Sequence, residues 1–404
     1  MINDMELIER KHYHAKIQQW LGKDLIIVLT GQRRVGKSSI LKMLAEKMSQ
    51  EGNVIYIDKE KHTFEAIQSH RDLNDYIDSH LDKGRKNFIM IDEVQDIAGF
   101  EHSLRSYYSE PQTEVIVTGS NARMLSGELA TLIGGRYKEV YIQPLDYTEF
   151  MTFHQLSDSE QTLGAYIEYG GMPGLAAIGL DKTLATEYLS DIYHTTLLKD
   201  VVMRNEIRNV SFLDRLVRFM ADNEGKLISA TSISRYMKSR GETLSPSVII
   251  NYQKMLSDAY MVHRVNRYDI HGRRIFDVND KYYFEDHGIR NALTGGTRDE
   301  DIEKVIESIV YQHLVRMGYE VFVGQLQASE IDFVCRKPSG GRIYVQVAYL
   351  IADSGTRERE FGNLQRINDN YPKYVISITP LVSRQDSNGI THLHLRNFLA
   401  EGLA

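Results

Sequence analysis

Gly31-Gln32-Arg33-Arg34-Val35-Gly36-Lys37-Ser38 is the stretch on which the fold turns. It fits the spacing G-x-x-x-x-G-K-[ST], a pattern that means little without a strand before it and a helix after it. Both are present. Residues 25–29 are an unbroken apolar run, and Ile40, Leu41, Leu44 and Met48 recur at helical spacing. The chemistry follows from the parts. Glycines let backbone N–H groups curl around phosphates. The start of a helix adds positive potential. Lys37 supplies a point charge for the β- and γ-phosphates, and Ser38 offers a hydroxyl to magnesium. The expected nucleotide-binding set is Gly31, Gln32, Arg33, Arg34, Val35, Gly36, Lys37, Ser38 and Ser39, with ATP and Mg2+ as ligands. A purely structural glycine turn is the competing reading.

A second motif supports the first. Phe88-Ile89-Met90-Ile91 is apolar and ends in Asp92-Glu93. Ligands of open α/β sheets bind at the carboxyl ends of strands, so Asp92 is expected beside the metal with Ser38. Glu93 is expected to orient or deprotonate the attacking water. An acidic helix cap is the alternative. Val115-Ile116-Val117 is a further buried run, followed by Thr118-Gly119-Ser120-Asn121. Asn121 or Ser120 is placed to meet the γ-phosphate or the water, against a simple strand-to-loop cap. Arg136, after Gly134-Gly135, reads as an arginine finger for a neighbouring copy's nucleotide. An exposed salt bridge, worth little, is the alternative. Gly170-Gly171-Met172-Pro173-Gly174 reads as a tight turn and hinge. The Asn-Lys-x-Asp pattern that reads guanine is missing, which leaves ATP favoured.

Working outward, apolar runs at 25–29, 54–57, 88–91, 115–117 and 140–142 alternate with helical stretches. That is the signature of a buried parallel sheet with helices on both faces. At about 150 residues per domain the chain holds two or three domains. Net charge is −7 and there is one cysteine, Cys335. A basic nucleic-acid coat, an internal disulfide and a cysteine metal cluster are thereby excluded. The opening residues lack the apolar core of a signal peptide, and no apolar run is long enough to cross a bilayer. A cytoplasmic location without membrane contact is the expectation.

Taken together, the stretches Thr30–Lys37 (as Thr-Gly-Gln-Arg-Arg-Val-Gly-Lys), Ile91-Asp92-Glu93-Val94-Gln95, Thr118-Gly119-Ser120-Asn121, Gly135-Arg136, Pro144-Leu145 with Glu149-Phe150, and Gly170-Gly171-Met172-Pro173 resemble a known family. They look like the prokaryotic AAA-type ATPases that carry a C-terminal domain of uncharacterised function. The resemblance implies an additional-strand core, in which the 115–117 strand lies between the P-loop strand and the Asp92 strand. It does not supply a physiological role.

Four segments are expected: an ATPase core at 1–150, a helical lid or linker at 151–208, a winged helix at 209–297 and a small α/β layer at 298–404. The winged-helix reading comes from three helices and a hairpin around His271-Gly272. Between residues 225 and 277 nine Lys and Arg face four acidic residues. DNA is therefore a candidate partner, with Asn251 and Lys254 on the groove helix and Arg273 and Arg274 on the wing. A protein-binding spacer is the alternative. The last layer resembles the PD-(D/E)xK nuclease fold. Glu307 and Asp332 match that pattern, but Gln346 and Ala348 stand where a second carboxylate and a lysine are needed. An inactive nuclease-like domain is expected. The leading function is an ATP-hydrolysing switch or motor acting on DNA or a protein partner, as a ring or dimer if Arg136 is a finger. A slow signalling or defence switch, an ATP-controlled nuclease and a small-substrate kinase are the other classes.

Overall fold

The computed structural model describes residues 8–122, 133–297, 301–327, 329–351, 353–380 and 385–403. The chain divides into two compact units. One is Met1–Gln143 with Asp258–Tyr260, and the other is Pro144–Ser257 with Met261–Ala404. No helix among the described residues is long and apolar enough to cross a membrane.

The first unit holds a five-stranded parallel sheet of β1 (Ile26–Thr30), β2 (Asn53–Asp58), β3 (Asn87–Asp92), β4 (Thr113–Gly119) and β5 (Tyr137–Tyr141). Their order is β2-β3-β4-β1-β5. The strand carrying Asp92 is thus separated from the P-loop strand by β4, as the resemblance implies. β1 and β3 are buried at every position. A central strand covered on both faces has no polar side to show, so it reads as an unbroken apolar run. The edge strands β2 and β5 carry more exposed residues.

Among the described residues four α-helices flank this sheet: α1 (Lys11–Gln18), α2 (Lys37–Met48), α3 (His70–His80) and α4 (Phe100–Tyr107). α3 starts in a capping box, Ser69 and Asp72 each accepting the other's backbone N–H. Leu73, Ile77 and Leu104 from α3 and α4 join Ile57, Ile89, Ile91 and Val117 of the strands in one core. In register, Thr30 pairs with Gly119 and Ile91 with Val117. That alignment brings the carboxyl ends of β1, β3 and β4 to one edge, and three of the expected motifs with them.

The second unit begins with α5 (Tyr147–His154), α6 (Glu160–Tyr169) and α7 (Lys182–Thr196), then α8 (Val210–Asp222), α9 (Ala230–Ser239) and α10 (Pro246–Asp258). The hairpin β6 (Val262–Asp269) and β7 (Arg274–Phe284) follows. After it come α11 (His287–Thr294), α12 (Ile302–Arg316), β8 (Glu320–Leu326), β9 (Ser329–Arg336), β10 (Arg342–Ala348), α13 (Ser354–Gln365), β11 (Lys373–Ser377), β12 (Gln385–Ser387), β13 (Ile390–His394) and α14 (Leu395–Glu401). All eight strands form one mixed sheet, β12-β13-β11-β10-β9-β8-β6-β7.

Two expected boundaries shift. The 209–297 and 298–404 stretches share a single sheet, because β6 pairs in parallel with β8 from Arg267 opposite Val323 to Asp269 opposite Gln325. A hairpin edge has unpaired backbone groups, and β8 satisfies them. The first expected segment ran to residue 150, but the compact unit ends at Gln143. Leu145, Tyr147 and Phe150 pack instead with Val305, Ile306 and Ile309 of α12 and Phe333 of β9. Arg316 secures that seam through Asp146 (3.1 Å) and Glu149 (2.6 Å). The glycine run at 170–174 is also a packing knot rather than a free hinge. Gly171 N donates to Asp286 Oδ2 at 2.7 Å, and a Cβ on Gly171 would sit 2.2 Å from Leu145 O.

Candidate functional site

The loop after β1 is built on three positive φ angles: Gly31 at 139°, Arg34 at 72° and Gly36 at 97°. Gly31 also touches backbone so closely that a Cβ would lie 2.1 Å from Ile142 O. Only glycine meets both demands. Val35 is fully buried and pins the loop, and Lys37 opens α2. Lys37 is 4% exposed, and its Nζ folds back to donate to Gly31 O and Gln32 O, each at 2.9 Å. Its ammonium therefore lies over the loop that a phosphate would enter. Gln32 is buried, Ser38 and Arg34 are exposed, Ser39 is half-buried, and Arg33 pairs with Glu60 at 3.2 Å.

Asp92 and Glu93 stand at the same edge, both buried. The Ser38 hydroxyl lies near enough to Asp92 to favour its charged form, so the two expected magnesium ligands stand at the same edge. Thr118 Oγ1 donates to Asp92 Oδ1 at 2.5 Å and accepts the Glu93 N–H at 2.9 Å. Burial pushes the Asp92 carboxyl above its ordinary value, while the Thr118 bond and the nearby Ser38 hydroxyl pull it back only in part. Glu93 adopts a left-handed backbone, φ 53°, which turns it out of the strand. Its Oε2 accepts from the Gln95 amide and from Ser120 Oγ at 3.3 Å. A hydroxyl, a carboxylate and a helix start suit Mg2+ and a phosphate chain.

Asn121 is buried just past β4, at this edge. Arg136 is elsewhere. It is exposed, its carbonyl accepts the Ile26 N–H at the opposite end of β1, and its guanidinium lies 5.7 Å from the Tyr108 ring. It is remote from its own P-loop.

Three contributors were not singled out from the sequence. Thr118 and Gln95 hold the two acids. Arg10, 3% exposed, donates to Val35 O at 3.0 Å and Gln143 O at 2.9 Å, tying the helix α1 region to the P-loop. Thr118 and Gln95 sit inside quoted motifs, whereas Arg10 has no local signal.

This geometry agrees with comparisons to known proteins. Residues 23–151 match an AAA domain, and residues 160–300 match a domain of unknown function. An uncharacterized protein of Haemophilus influenzae is 32% identical over 381 residues, covering 92% of this chain and 93% of that protein. The chain belongs to that family of AAA-domain proteins. A second uncharacterized relative, from Methanocaldococcus jannaschii, is 26% identical over 380 residues, 89% of this chain and 82% of its own. A Walker-type ATPase of Pyrococcus abyssi superposes with a TM-score of 0.52 at 17% identity, over 71% of this chain and 95% of that one. That likeness is one of fold. The AAA match ends at residue 151, just beyond the first compact unit.

In this AAA-domain protein a second polar cluster lies in the C-terminal layer. Glu307 of α12 and Asp332 of β9 come together as expected, and Val347 N donates to Asp332 Oδ2 at 2.8 Å. The unexpected member is Lys281 of β7. Its Nζ is 2.8 Å from Glu307, 2.7 Å from Glu330 and 4.0 Å from Asp332. Gln346 is 8% exposed, and its Oε1 has no hydrogen-bond partner.

Proposed function

We propose that the chain hydrolyses ATP with Mg2+ and uses the nucleotide state as a switch or motor on DNA or a protein partner. The observation that carries this reading is the meeting, at one sheet edge, of the loop folded under Lys37 with buried Asp92 and Glu93, which Thr118 bridges. Lys37 and the loop amides of 31–38 would bind the phosphates. Ser38 and Asp92 would hold Mg2+, which supplies charge neutralisation for phosphoryl transfer. Glu93, with Asn121 nearby, would orient the attacking water and take its proton. In the present arrangement Glu93 is held by Gln95 and Ser120, and those bonds must loosen for it to act on water.

Arg136 lies away from its own loop, so a finger role requires a second copy of the chain. DNA as partner is supported by the basic balance of residues 225–277. It is supported too by an exposed stripe on α10, Ser247, Ile250, Asn251 and Lys254, and by the hairpin tip, where Arg274 is 72% exposed in its side chain. We read α8–α10 with the hairpin as a winged helix, and the layer after it as a nuclease-like fold without nuclease activity.

Steady-state hydrolysis with and without DNA tests the proposal. Lys37→Ala is expected to lose nucleotide binding. Glu93→Gln is expected to keep it and lose turnover by roughly a hundredfold or more. Normal hydrolysis by the Glu93 variant would contradict its role. A mobility shift at two salt concentrations tests DNA, and no shift at low salt ends that part.

A further inference from the structure

Three carboxylates of the C-terminal layer converge on one ammonium. Lys281 is 2% exposed, yet Glu307, Glu330 and Asp332 surround it. Tyr283, two residues along the same strand, donates its hydroxyl to Glu307 Oε1 at 2.5 Å. The antiparallel register that sets Val345 opposite Phe333 brings Gln346 alongside Asp332, with the unpartnered Oε1 buried there. Carboxylates, an amide carbonyl and a phenol are hard oxygen donors, the set that Mg2+, Mn2+ and Ca2+ prefer.

We propose that Lys281 is the resident cation of this centre: its tethered ammonium fills the place among these oxygens that a divalent metal ion would take, and removing the side chain opens a divalent-cation site. The charges support it. Burial works against a charged lysine, but Glu307, Asp332 and Glu330 together outweigh it and hold Lys281 protonated. An ammonium has three donors and no acceptor. Two of its neighbours are at hydrogen-bond distance, and the third, Asp332, takes the Val347 N–H. Burial and the Glu307 charge push the Asp332 carboxyl up, and the Lys281 ammonium opposes that rise. Among the described residues no three His, Cys, Asp or Glu side chains are spaced to hold a metal ion. The carboxylates are spread around the ammonium instead. A free ion would have to displace a group that its own stem cannot let go. Nor does Lys281 serve as a base, since its nitrogen is protonated, buried and bonded to two carboxylates. The inference goes beyond the ATPase reading and does not rest on it.

Terbium luminescence in the full chain without nucleotide tests this directly. Tyr283 is the built-in antenna for Tb3+, a hard cation read by tyrosine-sensitised emission. Wild type is expected to show no saturable emission that Asp332→Asn removes. Lys281→Ala is expected to gain it, with binding at least about tenfold tighter than wild type, and the Lys281→Ala/Asp332→Asn double variant to lose it. Lys281→Ala should also melt lower in chelator and recover with Mn2+. Asp332-dependent emission in wild type would overturn the proposal, as would a folded Lys281→Ala that gains none. If Lys281→Ala does not fold, Lys281→Met preserves the stem volume and is read in the same way. If neither folds even with Mn2+ present, ammonium and metal are not interchangeable here and the proposal fails.

Discussion

Thr118 Oγ1 lies 2.5 Å from Asp92 Oδ1 and donates its only proton there. The same oxygen accepts the Glu93 N–H, so one hydroxyl sets the position of both acids. Threonine on the neighbouring strand does this because β4 lies between β1 and β3 and runs parallel to both.

Thr118→Val keeps the shape and removes the hydroxyl. A hydrogen bond to a charged group contributes about 1.5–3 kcal/mol, so kcat/KM for ATP should fall by roughly ten- to a hundredfold. The pH profile should move as well. The Asp92 carboxyl is already raised by burial. A raised folded value favours the metal-free fold as pH falls through it, while metal binding, which needs the carboxylate, is lost over the same range. Removing the Thr118 bond raises Asp92 further and shifts the acid limb of the rate profile to higher pH. An unchanged acid limb would show that Thr118 does not hold Asp92.

Gly31→Ala tests the loop. The added methyl meets Ile142 O, and φ of 139° is hostile to any side chain. Strain and overpacking together should cost about 2–4 kcal/mol. Thermal melting and titration with a fluorescent nucleotide should both show the loss. Full nucleotide binding by a stable Gly31→Ala protein would mean that the loop rearranges freely.

Arg10→Ala leaves Val35 O and Gln143 O without their buried donor. The loss of two buried charge-assisted bonds costs about 2–4 kcal/mol. Nucleotide affinity should weaken with stability, because Val35 is inside the phosphate loop. Arg10→Lys, with one point donor in place of a fork, should recover only part of both. Equal denaturation midpoints for Arg10→Ala and wild type would remove Arg10 from the site.

Glu224 offers a pH test in the second unit. It is fully buried, accepts from Phe284 N at 2.7 Å and Ser308 Oγ at 3.0 Å, and burial raises its carboxyl to about 7 against an ordinary 4.5, with Arg290 opposing. Between those values the folded chain holds a proton that the unfolded chain has released. Its contribution to stability is therefore full below about pH 4.5 and is lost as pH rises through about 7. The slope from this one group is at most about 1.4 kcal/mol per pH unit. Glu224→Gln keeps an acceptor for both donors and should flatten the dependence of denaturation midpoint on pH in that window. A slope identical to wild type would assign the titration elsewhere.

Much of the first unit was legible because its chemistry is local. A phosphate loop needs its glycines, lysine and serine within eight positions, and a central parallel strand has to be apolar along its length. The second unit was less legible. Its helices and most of its strands follow their apolar patterns, but nothing in residues 262–269 announces that β8 will pair with them. Arg10 and Lys281 gave no local signal because each acts on atoms far along the chain.

By itself, the sequence determined the elements of the phosphate site and the parallel core, since both depend on short-range spacing and on the burial of whole strands. Only the tertiary structure decided that Thr118 bridges Asp92 and Glu93, that residues 144–169 join the C-terminal core, and that Lys281 stands among three carboxylates. The reason is physical. Side-chain periodicity records whether a residue is buried, but pairing between distant strands and the meeting of buried charges depend on which surfaces are brought together when the chain closes.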